Sequence, residues 1–175
     1  MRNFATLSYG RWYAGSVVLD SDLGENSLLW ITGGTGAGGW IVLQNSEYVY
    51  SDGTVMMGPE LPEHIDEHCA VNVNKTHTLL ITGEAADSGT SGITYFFNHV
   101  SQEWSQGPRL KQGRYRFACG LFKNEYWGEN TVIVAGGFSS NGGYPFTSVE
   151  VLPLDDPSLG WETGMKDSRF LNHFQ

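Results

Sequence analysis

Leu28-Leu-Trp-Ile-Thr-Gly-Gly34 decides how this chain is read, because the chain repeats it. Leu79-Leu-Ile-Thr-Gly83 and Thr131-Val-Ile-Val-Ala-Gly-Gly137 follow the same plan. Each is a short apolar run, partly β-branched, that ends on glycine. Such a run reads as a buried strand stopping where the backbone needs a positive φ or a close approach. Gly33, Gly83 and Gly136 are separated by 50 and 53 residues, and a period of that size predicts a repeat architecture.

Around each of these runs the same order of elements is expected. In the first unit the strands are Ala14–Leu19, Leu28–Thr32, Glu47–Tyr50 and Thr54–Met57, with turns at Asp20–Asn26 and Ser51-Asp-Gly53. Gly58-Pro-Glu-Leu61 closes the unit. The second has His68–Val73, Thr78–Thr82, Ile93–Phe97 and a strand marked by Trp104, closed by Gly107-Pro-Arg-Leu110. The third has Phe117–Phe122, Thr131–Ala135, Ser148–Leu152 and Trp161. Val55 takes the place of the tryptophan in the first unit. Leu7-Ser-Tyr-Gly-Arg11 resembles Leu110-Lys-Gln-Gly-Arg114, so the chain opens inside what is elsewhere a linker between units.

Composition agrees with an all-β chain. The 175 residues include 23 glycines, six tryptophans, eight tyrosines and nine phenylalanines, and only ten lysines plus arginines; one domain is expected. A net charge of −9 argues against nucleic acid and against anionic membrane surfaces. No apolar run is long enough to cross a bilayer, and Met1–Gly10 lacks the pattern of a secretory signal. A cytoplasmic setting is therefore expected. The two cysteines, Cys69 and Cys119, are too few for a metal cluster or a disulfide-dense scaffold. Counted from Leu61 and Leu110 they fall one position out of register, so on strands they point to opposite faces. That parity argues against a bridge and for two buried free thiols. Asn74-Lys-Thr76 matches a glycosylation acceptor pattern, which by itself says little about compartment.

Four antiparallel strands in roughly 50 residues, with glycines after the second and a tryptophan in the fourth, is a propeller-blade pattern. The chain resembles the kelch repeat family in Gly33-Gly34, Gly136-Gly137, Tyr48-Val-Tyr50, Tyr95-Phe-Phe97, Trp104, Trp161 and the Gly-Arg pairs that open the first and third units. The resemblance covers about residues 7–165. It departs at Glu84, in place of a second glycine, at Val55, and at Glu63-His64, in place of a Gly-Arg. What it implies is a kelch-type β-propeller of three consecutive four-stranded antiparallel blades, partial or open, at about 11–62, 63–112 and 113–165. Residues 166–175 would start a further linker or blade. Three blades are too few for a ring of the usual four to eight. A segment of a longer propeller is expected, with pairing of two chains into six blades as the alternative.

Three local patterns could carry chemistry. Gly34-Thr-Gly36-Ala-Gly-Gly39 fits a dinucleotide fingerprint, but that use requires a helix to follow, and Trp40-Ile-Val-Leu43 and a strand follow instead. His64-Ile-Asp-Glu67-His68 fits the H-x-x-E-H zinc pattern, which needs both histidines on one helix face. Pro62 and the alternation of His68–Val73 read instead as a linker and a strand. Asp20-Ser-Asp22-Leu-Gly-Glu25 has carboxylates for calcium yet lacks the remaining loop ligands, and reads as a charged turn. No catalytic, metal or cofactor residues are assigned.

The resemblance implies binding through the loops at one face, where the second-to-third-strand loops and the between-blade segments gather. Carried over by position, the between-blade residues are Trp12, Tyr13, Arg114, Tyr115 and Arg116. Those after the glycines are Thr35, Trp40, Glu84, Phe138, Ser139 and Tyr144. Aromatic and arginine side chains are effective anchors for an acidic or mixed peptide; Tyr13, Tyr115 and Phe138 could equally pack between blades. The expected function is a non-catalytic protein-interaction module, as adaptor or scaffold, with a protein or peptide partner. The alternative is an enzyme on the same scaffold, galactose-oxidase-like or metal-dependent.

Overall fold

The computed structural model describes residues 4–19, 28–38, 41–85, 89–124, 128–139 and 143–163. The expected Asp20–Asn26 turn, Gly39, Trp40 and everything from Gly164 onward lie outside these. No α-helix occurs among the described residues, so none is long and apolar enough to cross a membrane.

Among the described residues seventeen strands follow one another in three units. The first unit holds β1 (Arg11–Trp12), β2 (Gly15–Leu19), β3 (Leu28–Thr32), β4 (Thr35–Gly36), β5 (Ser46–Tyr50) and β6 (Val55–Met57). The second holds β7 (Ile65–Asp66), β8 (Cys69–Asn74), β9 (His77–Ile81), β10 (Glu84–Ala85), β11 (Gly89–Thr90), β12 (Thr94–Asn98) and β13 (Glu103–Gln106). The third holds β14 (Ala118–Asn124), β15 (Gly128–Ala135), β16 (Val149–Pro153) and β17 (Glu162–Thr163). Each unit builds one four-stranded antiparallel meander: β2-β3-β5-β6, β8-β9-β12-β13 and β14-β15-β16-β17. Among the described residues no sheet closes on itself. All the strands expected from the sequence are there, most within a residue or two at their ends; β15 starts earlier, at Gly128. Val55 occupies the place of the tryptophan opposite Val49, as Trp104 does opposite Phe97.

The sheets stack through their first strands, β2 against β8 and β8 against β14. Paired residues share a face, so each middle strand sorts its side chains between two neighbours. Trp30, Val17 and Tyr48 of the first sheet meet Ala70, Leu80, Phe97 and Trp104 of the second. On the other face of the second sheet Val71, Val73, Leu79, Ile81 and Phe96 meet Val132, Val134, Leu152 and Trp161 of the third. The indole N–H of Trp104 donates to the Glu60 carbonyl at 2.9 Å and that of Trp161 to the Pro108 carbonyl at 2.9 Å. Each tryptophan therefore ties its sheet to the segment that closes the preceding unit. The outer face of the first sheet exposes Val18 and Met57, and that of the third exposes Phe122 and Val149.

The cysteines are joined. Cys69 and Cys119 form a disulfide with Cα atoms 6.2 Å apart, and neither thiol is free. The expectation of two free thiols fails for a geometric reason. Equivalent strands of stacked sheets face each other through opposite faces, so a pair one position out of register is what a bridge between neighbouring sheets requires. Opposite faces exclude a bridge only within a single sheet.

A buried ion pair fixes the linker in the first and third units. The Arg11 guanidinium donates to the Gly33 and Asn45 carbonyls, to Asn45 Oδ1 and to Glu47 Oε2, the last at 2.6 Å. Arg114 donates to the Gly136 and Ser148 carbonyls, to Ser148 Oγ and to Glu150 Oε1, again at 2.6 Å. The sequence separations are the same in both, 22, 34 and 36 residues. Each glutamate also accepts a linker N–H 39 residues earlier, from Ser8 and from Lys111, at 2.7 Å. Burial works against the Glu47 carboxylate, yet the Ser8 N–H and the Arg11 guanidinium outweigh it and hold its pKa below the usual value. The second unit is built differently. Pro62 stands where Ser8 and Lys111 stand, next after the linker leucine, and proline has no N–H to satisfy. Fully buried Ile65 takes the arginine position, and Tyr95 the glutamate position. This corrects the sequence alignment by one residue: His64-Ile65, not Glu63-His64, replaces the Gly-Arg.

Candidate functional site: the loop face

Three short ladders join the linkers to the loops that follow the glycines. Trp12 pairs with Thr35, Asp66 with Glu84, and Tyr115 with Phe138. Trp12, Thr35, Glu84, Tyr115 and Phe138 are thus brought to one face, where the linker backbones are themselves joined in series. The second glycine of each pair permits the approach. A Cβ on Gly34 would lie 2.6 Å from the Trp12 carbonyl oxygen, and one on Gly137 would lie 2.7 Å from that of Tyr115. In the second unit Gly83 is the counterpart, where a Cβ would lie 2.2 Å from the Glu67 carbonyl oxygen. Thr82, whose N–H donates to the Ile93 carbonyl as Gly33 donates to Asn45 and Gly136 to Ser148, therefore replaces the first glycine. Glu84 does not replace the second; it is the ladder residue.

One step further along each linker stands a residue in the left-handed region: Tyr13 at φ 55°, Glu67 at 51° and Arg116 at 53°. None is glycine, so each carries a conformational cost held by its surroundings. Their backbones are linked in series. The Glu67 N–H donates to the Tyr13 carbonyl at 2.9 Å, and the Arg116 N–H to the Glu67 carbonyl at 3.2 Å. The side chains gather on the same line. Arg116 donates from Nε and Nη2 to Glu67 Oε1 at 2.8 and 2.6 Å. Its guanidinium lies 5.0 Å from the Tyr13 ring centroid and 5.6 Å from that of Tyr115, within cation–π range. Tyr115 in turn packs on Phe138 with centroids 5.8 Å apart. The hydrogen bonds that Arg116 donates to Glu67 raise its pKa, keeping it charged. Burial, and then the neighbouring Glu67 and Asp66 carboxylates, raise that of Glu84.

The sequence-predicted residues divide by exposure. Trp12, Tyr13 and Tyr144 are open to solvent at 52, 53 and 95%, Glu84 is exposed, and Tyr115, Phe138 and Ser139 are half-buried. Thr35 is buried, its hydroxyl donating to Asp66. Arg114 is a correction: fully buried in its ion pair with Glu150, it anchors the linker and offers nothing to a partner. Trp40 lies outside the described residues. Asp66 and Glu67 were missed. Counting four residues on from Leu61, as Arg11 follows Leu7 and Arg114 follows Leu110, would have placed Ile65-Asp-Glu67 beside Arg11-Trp-Tyr13 and Arg114-Tyr-Arg116.

Of the three chemical patterns, the glycine-rich and the histidine one fall among the described residues, the former in part. Thr35 and Gly36 lie in β4, and a turn follows them. Glu67 is committed to Arg116, and His68 is buried between the first two sheets, its Nε2 2.8 Å from Thr32 Oγ1. Burial, with help from Arg11, pushes the His68 pKa down to about 3. The Asp20–Glu25 pattern lies outside the described residues. Among the described residues no group of three His, Cys, Asp or Glu is placed to hold a metal ion. No family model matches this chain, and no curated protein matches it significantly.

Proposed function

We propose that the chain is a kelch-type partial propeller acting as a non-catalytic protein-interaction module, with the loop face as its binding surface. The observation that carries this reading is the gathering of Tyr13 and Tyr115 around Arg116, with Phe138 packed on Tyr115 and exposed Trp12 next to Tyr13 on the linker, beside the three linker-to-loop ladders. Rigid aromatic groups beside the half-exposed Arg116 and the exposed carboxylate of Glu84 suit a peptide of mixed charge, with one acidic and one basic contact. The left-handed backbone of Tyr13 and Arg116 fixes these side chains before any partner arrives, which lowers the ordering cost of binding. The outer faces of the first and third sheets are where further blades, from a longer chain or a second copy, would stack.

Panning a random peptide library against the purified chain tests this. Selected peptides are expected to lose at least about tenfold in affinity against Tyr13→Ala and Arg116→Ala, as for a central anchor worth roughly 1.4 kcal/mol or more, and to keep it against Val100→Ala at the far end of the second sheet. Peptides that bind all three variants equally would overturn the reading.

A further inference from the structure

We propose that Asn74 is an N-linked glycosylation site and that the protein matures in an oxidising, secretory compartment, where the Cys69–Cys119 bridge is made. Two observations from different parts of the chemistry converge on this. The first is the disulfide itself. Both cysteines of the chain are consumed in one bridge that ties the second sheet to the third, and structural bridges persist where the surroundings are oxidising. The second is the acceptor pattern. Asn74-Lys-Thr76 stands at the turn between β8 and β9, with Asn74 and Lys75 exposed. Asn74 Oδ1 accepts the Thr76 N–H at 2.9 Å and the Thr76 hydroxyl at 3.1 Å. The acceptor asparagine thus stands on an open hairpin turn, with the hydroxyl two residues on beside it, which is the surface-loop placement that the pattern calls for. Chance explains an acceptor tripeptide or a cysteine pair taken singly; an exposed one and a bridged one in the same chain belong to one cellular setting. This replaces the cytoplasmic expectation.

The site is also compatible with the proposed binding face. The turn that carries Asn74 lies at the opposite end of β9 from Gly83 and the loop ladders, so a glycan there leaves Tyr13 and Arg116 uncovered. In the bridge-forming step the two thiols give up two electrons and two protons to a disulfide oxidant, which leaves as a dithiol. In the glycosylation step Asn74 Nδ2 bonds to the anomeric carbon of an oligosaccharide. The amide loses a proton, and the lipid pyrophosphate that carried the sugar departs.

The test is peptide mapping of the protein recovered from its own cells, digested without reduction and read by mass spectrometry before and after treatment with a peptide N-glycosidase. The expected result is a hexosamine-based glycan on the Asn74 peptide, removed by the glycosidase, and a single cross-linked species joining the Cys69 and Cys119 peptides. Thr76→Ala should abolish the glycan and Thr76→Ser retain it, which separates loss of the acceptor from misfolding. A bare Asn74 in the folded protein overturns the proposal, and so does recovery of both cysteines as free, alkylatable thiols.

Discussion

The two interfaces between sheets solve the same packing problem with different chemistry. Between the first and second sheets the space is filled by rings: Trp30 lies 5.2 Å from Phe97 and 6.0 Å from Trp104, Phe97 lies 4.7 Å from Trp104, and His99 stands edge-on to Phe97 at 5.0 Å. His68 is buried at the same interface, against Thr32 and Gly15 of the first sheet. Between the second and third sheets the filling is mainly aliphatic, with a disulfide at one end. Ring packing gives area and geometric preference but brings imidazoles inside. The aliphatic cluster is made of groups that do not titrate and takes a covalent tie instead. One interface is consequently sensitive to acid and the other to reductant.

The comparison breaks most sharply at Trp30. Trp30→Ala removes one of the two largest fully buried side chains among the described residues and should cost about 3–5 kcal/mol, seen as a lower denaturant midpoint that the intact disulfide does not rescue. Next comes the bridge. Cys69→Ser with Cys119→Ser, or reduction, releases a loop closed over 50 residues and should cost about 2–4 kcal/mol. The smallest effect, taken per pH unit, is that of acid. The folded pKa of His68, about 3, lies below its ordinary 6.5, and that of His99 is lowered to about 4, chiefly by burial. The unfolded chain therefore takes up protons first, and these histidines contribute stability that is complete above pH 6.5 and lost as pH falls toward 4 and then 3. For His68 the loss is about 1 kcal/mol per pH unit below 6.5. Urea midpoints at pH 7, 6 and 5 should show this slope in the cysteine variant and a flatter one in His68→Gln. An unchanged slope in His68→Gln would assign the acid sensitivity elsewhere.

Strand order was legible because its signals are local: a β-branched run, a terminal glycine, a tryptophan, a Gly-Pro-x-Leu closure. What was not legible depends on partners far along the chain. Arg114 reads as a surface arginine until Glu150 is placed against it, and Arg11 until Glu47 is. The bridge was misread because parity was applied within one sheet, whereas the two cysteines belong to facing sheets. At the loop face the aromatic residues were found by position, but Asp66 and Glu67 were hidden by a linker without its arginine.

That altered linker has a consequence for how the chain can change. In the outer units an amide hydrogen, a carboxylate and a guanidinium meet inside; in the middle unit Pro62, Tyr95 and Ile65 hold those places. In the outer units, exchanging Arg11 or Arg114 alone would leave Glu47 or Glu150 buried without its counterion, and exchanging the glutamate alone would leave the arginine in the same position. The three sites are therefore inherited as a set. The arginine–glutamate unit is a local optimum that single substitutions leave only by passing through a less stable protein, so an outer unit does not drift one residue at a time into the form of the middle one.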